Sequence, residues 1–451
     1  MSLTFYQKRQ NRFEQFFVGN RSYGTLIGAV SSAAAWIWAP ALFTSSQIVY
    51  TRGLPGIFWF AVPNTLALIM FAFFAVKVRS VIEQGYTLPE YIKHRLGVRN
   101  QMLYNVVILF VQFYAVLVQL TGSLLLLNLL TGLSKPFLII IIAFVFVLIA
   151  SIRGIRSSVV ADVIKMVIIL SVTILVVPIT VSFAGGFDAI AGGLGGSTGT
   201  FTNLFDPSVA WAYGIPITIS LLAGVTVDQQ QWQRAFSMKK ENVKRSFLLA
   251  GVIFIIVPVM LSMLGFIAAN PSSGVVVSSP QLAGIETIAK FLPSLGVGIF
   301  AIMLLSALTA AGSSALCAIS SITVVDIYKR FSNKNSNDMQ LVVVARIAMI
   351  IVIILAVGIA MIPNISILYL QLLAGSFRAA LFIPTILTLF WGRLHNKAAF
   401  WGSIIAMSIG VPLFVYGSII KNVNISTTGT IISLVLSGII CLLASKIRKL
   451  A

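Results

Sequence analysis

The sequence predicts an all-α integral membrane protein with twelve transmembrane helices, and three observations lead to that class. Hydrophobic residues make up 58% of the 451-residue chain and charged residues only 9%, where a soluble globular domain carries about 25%; mean hydropathy is +1.01. Twelve apolar segments, each near the roughly 20 residues a bilayer crossing needs, recur between short polar stretches at 24–50, 55–77, 101–131, 136–152, 158–184, 209–233, 246–269, 293–328, 340–362, 366–391, 398–420 and 429–445. Lysine and arginine, finally, fall almost entirely on alternate connections.

A formal charge of +20 would suit a nucleic-acid binder, but the positions of the charges decide otherwise. With the N-terminus in the cytoplasm, that side holds 25 of the 31 Lys and Arg, among them Lys8, Arg9, Arg12, Lys77, Arg79, Lys93, Lys239, Lys240, Arg448 and Lys449. Only Arg52, Lys135, Lys290 and Lys421 fall outside, and Lys165 and Arg378 fall within the membrane. This positive-inside asymmetry places both termini in the cytoplasm of a multi-pass cell-membrane protein. The excess charge is read as topology plus contact with anionic lipid on the cytoplasmic side, with no nucleic-acid partner. The first 20 residues lack the apolar core of a cleavable signal peptide. Cys317 and Cys441 lie in apolar helices as packing residues, and His94 and His395, in separate loops without a carboxylate cluster, predict no metal site.

The connection 183–208, FAGGFDAIAGGLGGSTGTFTNLFDPS, divides the chain after the fifth helix. Five helices is an odd number, so a second set of five enters the membrane upside down relative to the first, as in inverted-repeat transporters. The expected organisation is a cytoplasmic segment 1–23, a first repeat 24–184, a second repeat 209–391, and two further helices with a basic tail over 398–451. Matching halves should both be interrupted in their first helix. Pro40 in the first segment, and Pro216 with Gly224 in the sixth, can break them, although Pro and Gly are also ordinary in membrane helices.

Four stretches then resemble the sodium:solute symporter family. FFVGNRSYG (16–24) is similar to the family's entry to the first core helix, and GIRSSVVADVIKM (154–166) to its fifth. DQQQWQRAFSMKKENVKRSFLLAG (228–251), with Gln229, Gln233 and Arg234 in place, is similar to the exit from the sixth, and ALTAAGSSALCAISSITVVDIYKRF (307–331) to the eighth. The resemblance covers nearly the whole chain. It implies the five-plus-five LeuT-like fold, alternating access, and a solute site at the breaks in the first and sixth helices. Other members have a further helix before the first of these stretches, and the resemblance implies that here it has either been lost or been left out by a later start.

The resemblance also implies a sodium site built from carbonyls at Ala34, Ile37 and Ala307 and from two hydroxyls, which here fall on Ala310 and Ala311. Losing two of about five oxygen ligands should remove most of the affinity for a hard cation, unless Thr309, Ser313 or Ser314 shifts in. Lys165 replaces the family's glutamine in the fifth helix, one turn from Asp162 on the same face. A charge at mid-membrane costs at least about 2.5 to 3.5 kcal/mol, so its ammonium is expected either to occupy the ion's place, pairing with Asp162 and donating to those carbonyls, or to snorkel to the cytoplasmic surface.

Arg378 lies midway along the tenth helix and, unable to discharge, needs an anion, a carbonyl or water; an anionic solute and a structural ion pair both fit. Trp36, Trp38 and Ser45 near the first break, and Gln112 and Gln119 on the third helix, complete the candidates, with Trp38 also suited to packing and Gln119 to an interhelical hydrogen bond. Trp36 and Gly224 stand where sugar-transporting relatives have asparagine and tyrosine, which argues against a sugar. The expectation is a secondary transporter of a small, carboxylate-bearing organic solute, without an organic cofactor. Coupling is either sodium-independent (proton-coupled or passive), with Lys165 in place of the ion, or to Na+ at a rebuilt site. A channel would need a pore ring or filter, an enzyme a catalytic cluster, and a sensor a signalling domain beyond the terminal SKIRKLA.

Overall fold

A computed structural model describes residues 18–152, 155–328, 338–362 and 366–447. The basic residues Lys8, Arg9 and Arg12, the first two residues of FFVGNRSYG, Gly154, Lys329, Arg448 and Lys449 lie outside the described residues.

Each apolar segment read from the sequence falls on helix, and among the described residues ten helices are long and apolar enough to cross a membrane by length and composition. Two more, Thr25–Trp36 and Lys135–Ser151, are shorter but apolar. We number α1 (Thr25–Trp36), α2 (Ser45–Val81), α3 (Leu88–Leu96), α4 (Val98–Thr131), α5 (Lys135–Ile152), α6 (Ile155–Phe183), α7 (Ile215–Thr226) and α8 (Gln229–Ser237). There follow α9 (Val243–Ala269), α10 (Ala283–Phe291), α11 (Ser294–Ile322), α12 (Asp338–Ala360), α13 (Ile367–Phe390), α14 (Asn396–Ile419) and α15 (Val423–Ile447).

The first apolar segment is broken as its sequence suggests. Pro40 carries no N–H, so α1 ends at Trp36 and the chain restarts at Pro40 through a wide turn, Pro40–Thr44, that runs into α2. The sixth segment breaks elsewhere than expected. Pro216 sits in the first turn of α7, where a missing N–H costs nothing, and the interruption falls at Val227 and Asp228, just past Gly224. Asp228 there caps α8, its carboxylate accepting the Gln230 N–H at 3.0 Å.

α9 lies along α1 and α2, α11 along α4, α7 against α13, and α14 pairs with α15. At the end of the bundle richer in lysine and arginine, the basic end, the chain entering α1 docks on the exit from α8. The Tyr23 N–H donates to Ser237 O at 3.3 Å and the Lys239 N–H to Tyr23 O at 3.1 Å. Arg21 donates to the Phe236 and Gly85 carbonyls, each at 3.1 Å, and Arg79 to Ala235 O at 2.6 Å, so cations meet the carbonyl end of α8 where its dipole is negative. Beside them Thr87 and Glu90 form a reciprocal cap on α3. At the opposite, far end the glycine-rich 183–208 connection seals onto the turn inside α2. Gly53 has φ +54, and a β-carbon there would lie 2.4 Å from Leu194 O. The next N–H, of Leu54, donates to Leu194 O at 2.9 Å.

Candidate solute and ion site

Past the end of α1 the backbone is answered by α4: the Ala39 N–H donates to Gln119 Oε1 at 3.0 Å. Trp38 lies at the break, its ring 6.0 Å from that of Tyr114, and the guanidinium of Arg378 on α13 lies 5.0 Å from the centre of the same Tyr114 ring. The guanidinium also crosses α7 at Gly224, where a β-carbon would stand 2.5 Å from Nη1. The glycine and the arginine are therefore complementary: the space left at 224 is the space Arg378 occupies. Its Nε donates to Ala374 O at 3.1 Å, whereas Nη2 is buried without a hydrogen bond among the described residues.

The second break faces the same place. Gln112 donates to Asp228 Oδ1 at 2.9 Å, and Gln230 to Gln112 Oε1 at 3.2 Å. Among the described residues Asp228 Oδ2, Gln230 Oε1 and Gln231 Oε1 are buried and without a hydrogen bond, as is Gln119 Nε2. A buried polar group without a hydrogen bond costs about 1 to 3 kcal/mol. The two breaks thus concentrate unsatisfied donors, on Arg378 and Gln119, and unsatisfied acceptors, on α8. Every residue of α8 is buried, although five of its nine are Gln or Arg.

Nearer the basic end lies a second polar junction. Arg234, counted from sequence among the cytoplasmic residues, is wholly buried because α8 folds back into the bundle. Its Nη2 pairs with Asp162 Oδ2 of α6 and approaches Ser314 Oγ of α11 at 3.4 Å. Nε donates to Ser31 Oγ of α1 at 3.0 Å, Ser31 Oγ donates to Asp162 Oδ2 at 2.8 Å, and Nη1 donates to Gln230 O at 2.8 Å. Four helices meet on one guanidinium.

This corrects the expected Asp162–Lys165 pair. A planar guanidinium binds a carboxylate and a hydroxyl simultaneously, which an ammonium does less well, and Arg234 takes the aspartate. Lys165 is 2% exposed, so it does not snorkel out of the protein, yet its Nζ makes no hydrogen bond and no ion pair among the described residues. The expected bonds to the Ala34, Ile37 and Ala307 carbonyls are not formed; the Ala34 carbonyl accepts the Ile37 N–H at 3.2 Å. Ala307 and Ala311 are buried and Ala310 half-buried on α11. Of the nearby hydroxyls, Ser313 donates back to Thr309 O at 2.7 Å and Ser314 meets Arg234.

The structure brings Gln119, Gly224, Arg378 and Trp38 to the breaks. Trp36 instead donates to Asn64 Oδ1 at 2.9 Å and Ser45 to Ala41 O at 2.9 Å within its own helix, which gives both a structural partner. Sequence reasoning missed Asp228 and the role of Arg234. The first was findable: an aspartate directly after an apolar run and before QQQW is a helix-start signal.

The family model described as the sodium:solute symporter family matches residues 16–406. The chain belongs to that family. Within it, the chain is 22% identical to a rice urea-proton symporter, over 94% of this chain and 64% of that protein, so it spans somewhat less than two thirds of that relative. It is 25% identical to a high-affinity proline transporter of Bacillus subtilis, over 90% of this chain and 87% of the relative. To a sodium/glucose cotransporter of Vibrio parahaemolyticus it is 27% identical, over 90% and 80%. Among solved structures, a Na+-coupled sialic acid symporter in a substrate-bound outward-open state superposes with a TM-score of 0.79 at 18% identity, covering 98% of this chain and 94% of that one. A nucleobase-cation-symport-1 family transporter superposes at 0.64 with 13% identity, over 95% and 94%. These likenesses establish the LeuT-like fold of this sodium:solute symporter family member.

Proposed function

We propose that the chain is a secondary transporter that carries a small organic solute across the cell membrane by alternating access. Twelve crossings with both termini cytoplasmic, inverted repeats over 24–184 and 209–391, and accessory helices over 398–451 are the organisation that goes with it. One observation carries the solute reading: an unsatisfied donor, Arg378 Nη2, and an unsatisfied acceptor, Asp228 Oδ2, are both buried at the second break. A solute with a carboxylate for Arg378 and an N–H donor for Asp228, such as an amino acid, satisfies both. Names of relatives support that class, since proline offers a carboxylate and urea offers N–H groups.

For coupling, the reading is sodium-independence, with Lys165 standing where the ion would. Its support is that the two hydroxyl positions are Ala310 and Ala311 and that the neighbouring serines are engaged elsewhere. Arg234 already pairs with Asp162, and Lys165 is buried one turn from Asp162 on the same helix, so two cations accompany one carboxylate, which opposes a further cation. A desolvated lysine can exchange a proton as the site opens and closes. Purified protein in proteoliposomes tests both parts: uptake of amino acids should proceed without sodium, respond to a proton gradient, and lose that response in Lys165→Gln. Uptake that requires a sodium gradient, or a Lys165→Gln variant with undiminished proton coupling, sinks the coupling reading.

A further inference from the structure

A cavity of about 330 Å³ opens at the far end of the bundle, between the start of α13, the chain entering α7, and the turn joining α14 to α15. Only four basic residues were assigned to that end from sequence, and two of them, Arg52 and Lys421, line this one cavity. No Asp or Glu among the described residues lines it. Among the described residues neither cation has an acidic partner within 4.0 Å. The buried Tyr213 hydroxyl, within electrostatic reach of Arg52, is likewise unpartnered.

The lining also holds an aromatic pair: Tyr369 and Phe414 stack at 6.0 Å with planes 25° apart. Ser418 and Ser426 add hydroxyls to the lining. Lys421 is placed by its backbone. It has φ +56 at the end of α14, in a cap where its N–H donates to Ser418 O at 3.3 Å and the Asn422 N–H to Gly417 O at 2.8 Å. Glycine is the low-energy residue at that position of such a cap, and here the position carries a cation facing an apolar wall.

The volume is that of a small-molecule site. Two unpaired cations beside an aromatic plane, with hydroxyls at hand, suit an anion with an apolar body. Tyr369 lies nine residues before Arg378 on α13, about 14 Å along the helix axis at 1.5 Å per residue. We propose that this cavity binds a small organic carboxylate at a site separate from the central one. Its role in collecting solute ahead of the central site rests on the transport reading above; the binding itself does not.

Protein in nanodiscs of purely zwitterionic lipid, titrated with benzoate and followed by thermal stability, tests the site without any transport measurement. Benzoate should raise the melting temperature saturably in the parent and equally in Arg378→Gln, which leaves the outer cavity intact. Lys421→Gly, which removes the charge while supplying the residue its backbone favours, should weaken apparent affinity at least tenfold, and Lys421→Gly with Arg52→Gln should abolish the shift. A shift that persists in the double variant, that disappears in Arg378→Gln, or that is absent from the parent overturns the proposal. So does a parent stabilised by anionic phospholipid and not by benzoate, which would make the cavity a headgroup site. Benzoate binding that follows Lys421, together with failed amino-acid uptake, would leave this site standing and remove the transport reading alone.

Discussion

Arg234 and Arg378 are both buried arginines in the same bundle, and they differ in how completely they are satisfied. Arg234 touches a carboxylate, two hydroxyls and two backbone carbonyls drawn from four helices. Arg378 has one carbonyl, an aromatic face, and a terminal nitrogen without a hydrogen bond among the described residues. A fully answered buried charge holds helices together, while one left partly unanswered is the group that, on the proposed reading, meets the solute. The same contrast separates Asp162, bonded by Arg234 and Ser31, from Asp228, with one oxygen bonded and one open.

The largest expected effect would break the contrast if it failed. Arg234→Met should leave the Asp162 carboxylate buried and unpaired and destabilise the fold by about 3 to 5 kcal/mol. Arg234→Met with Asp162→Leu should recover most of that, measured by denaturation in detergent; a single variant costing under about 1 kcal/mol would mean that the junction is no anchor. Next, Arg378→Gln should cut solute uptake about 100-fold, equivalent to about 2.7 kcal/mol, while moving stability far less than Arg234→Met does. Equal damage to folding at the two arginines would erase the distinction.

Gly224→Ala sharpens it further. The added carbon meets the end of a flexible side chain, so folding should change by less than about 1 kcal/mol, whereas the displaced guanidinium should lower uptake about tenfold. Smallest of all, Ser314→Ala removes the longest contact to Arg234, 3.4 Å, and should cost about 0.5 kcal/mol or less in stability without changing solute affinity.

Much of the fold was legible because helices in lipid announce themselves by length and apolarity, and the basic connections by their charge. The broken first segment was visible in Pro40. The second break was displaced because Pro216 sits in the first turn of a helix, where proline is tolerated, and an aspartate N-cap set the interruption instead. At the site, Gly224 and Arg378 were each identifiable as departures, but that one fills the space left by the other requires α7 and α13 to be side by side. The partner of Asp162 was misjudged for a related reason. Lys165 is near in sequence, whereas Arg234 is 72 residues away and on a segment polar enough to pass for a loop.

That polar segment bears on how the chain is assembled. Gln229–Ser237 is too hydrophilic to partition into lipid by itself and too short to be a stable helix in water. It has to be carried in by the apolar helices on either side and can order only once α1, α4, α6 and α11 surround it. During synthesis it should therefore be the last part of the core to gain protection from solvent exchange, and a chain stalled before α11 should leave it open to protease.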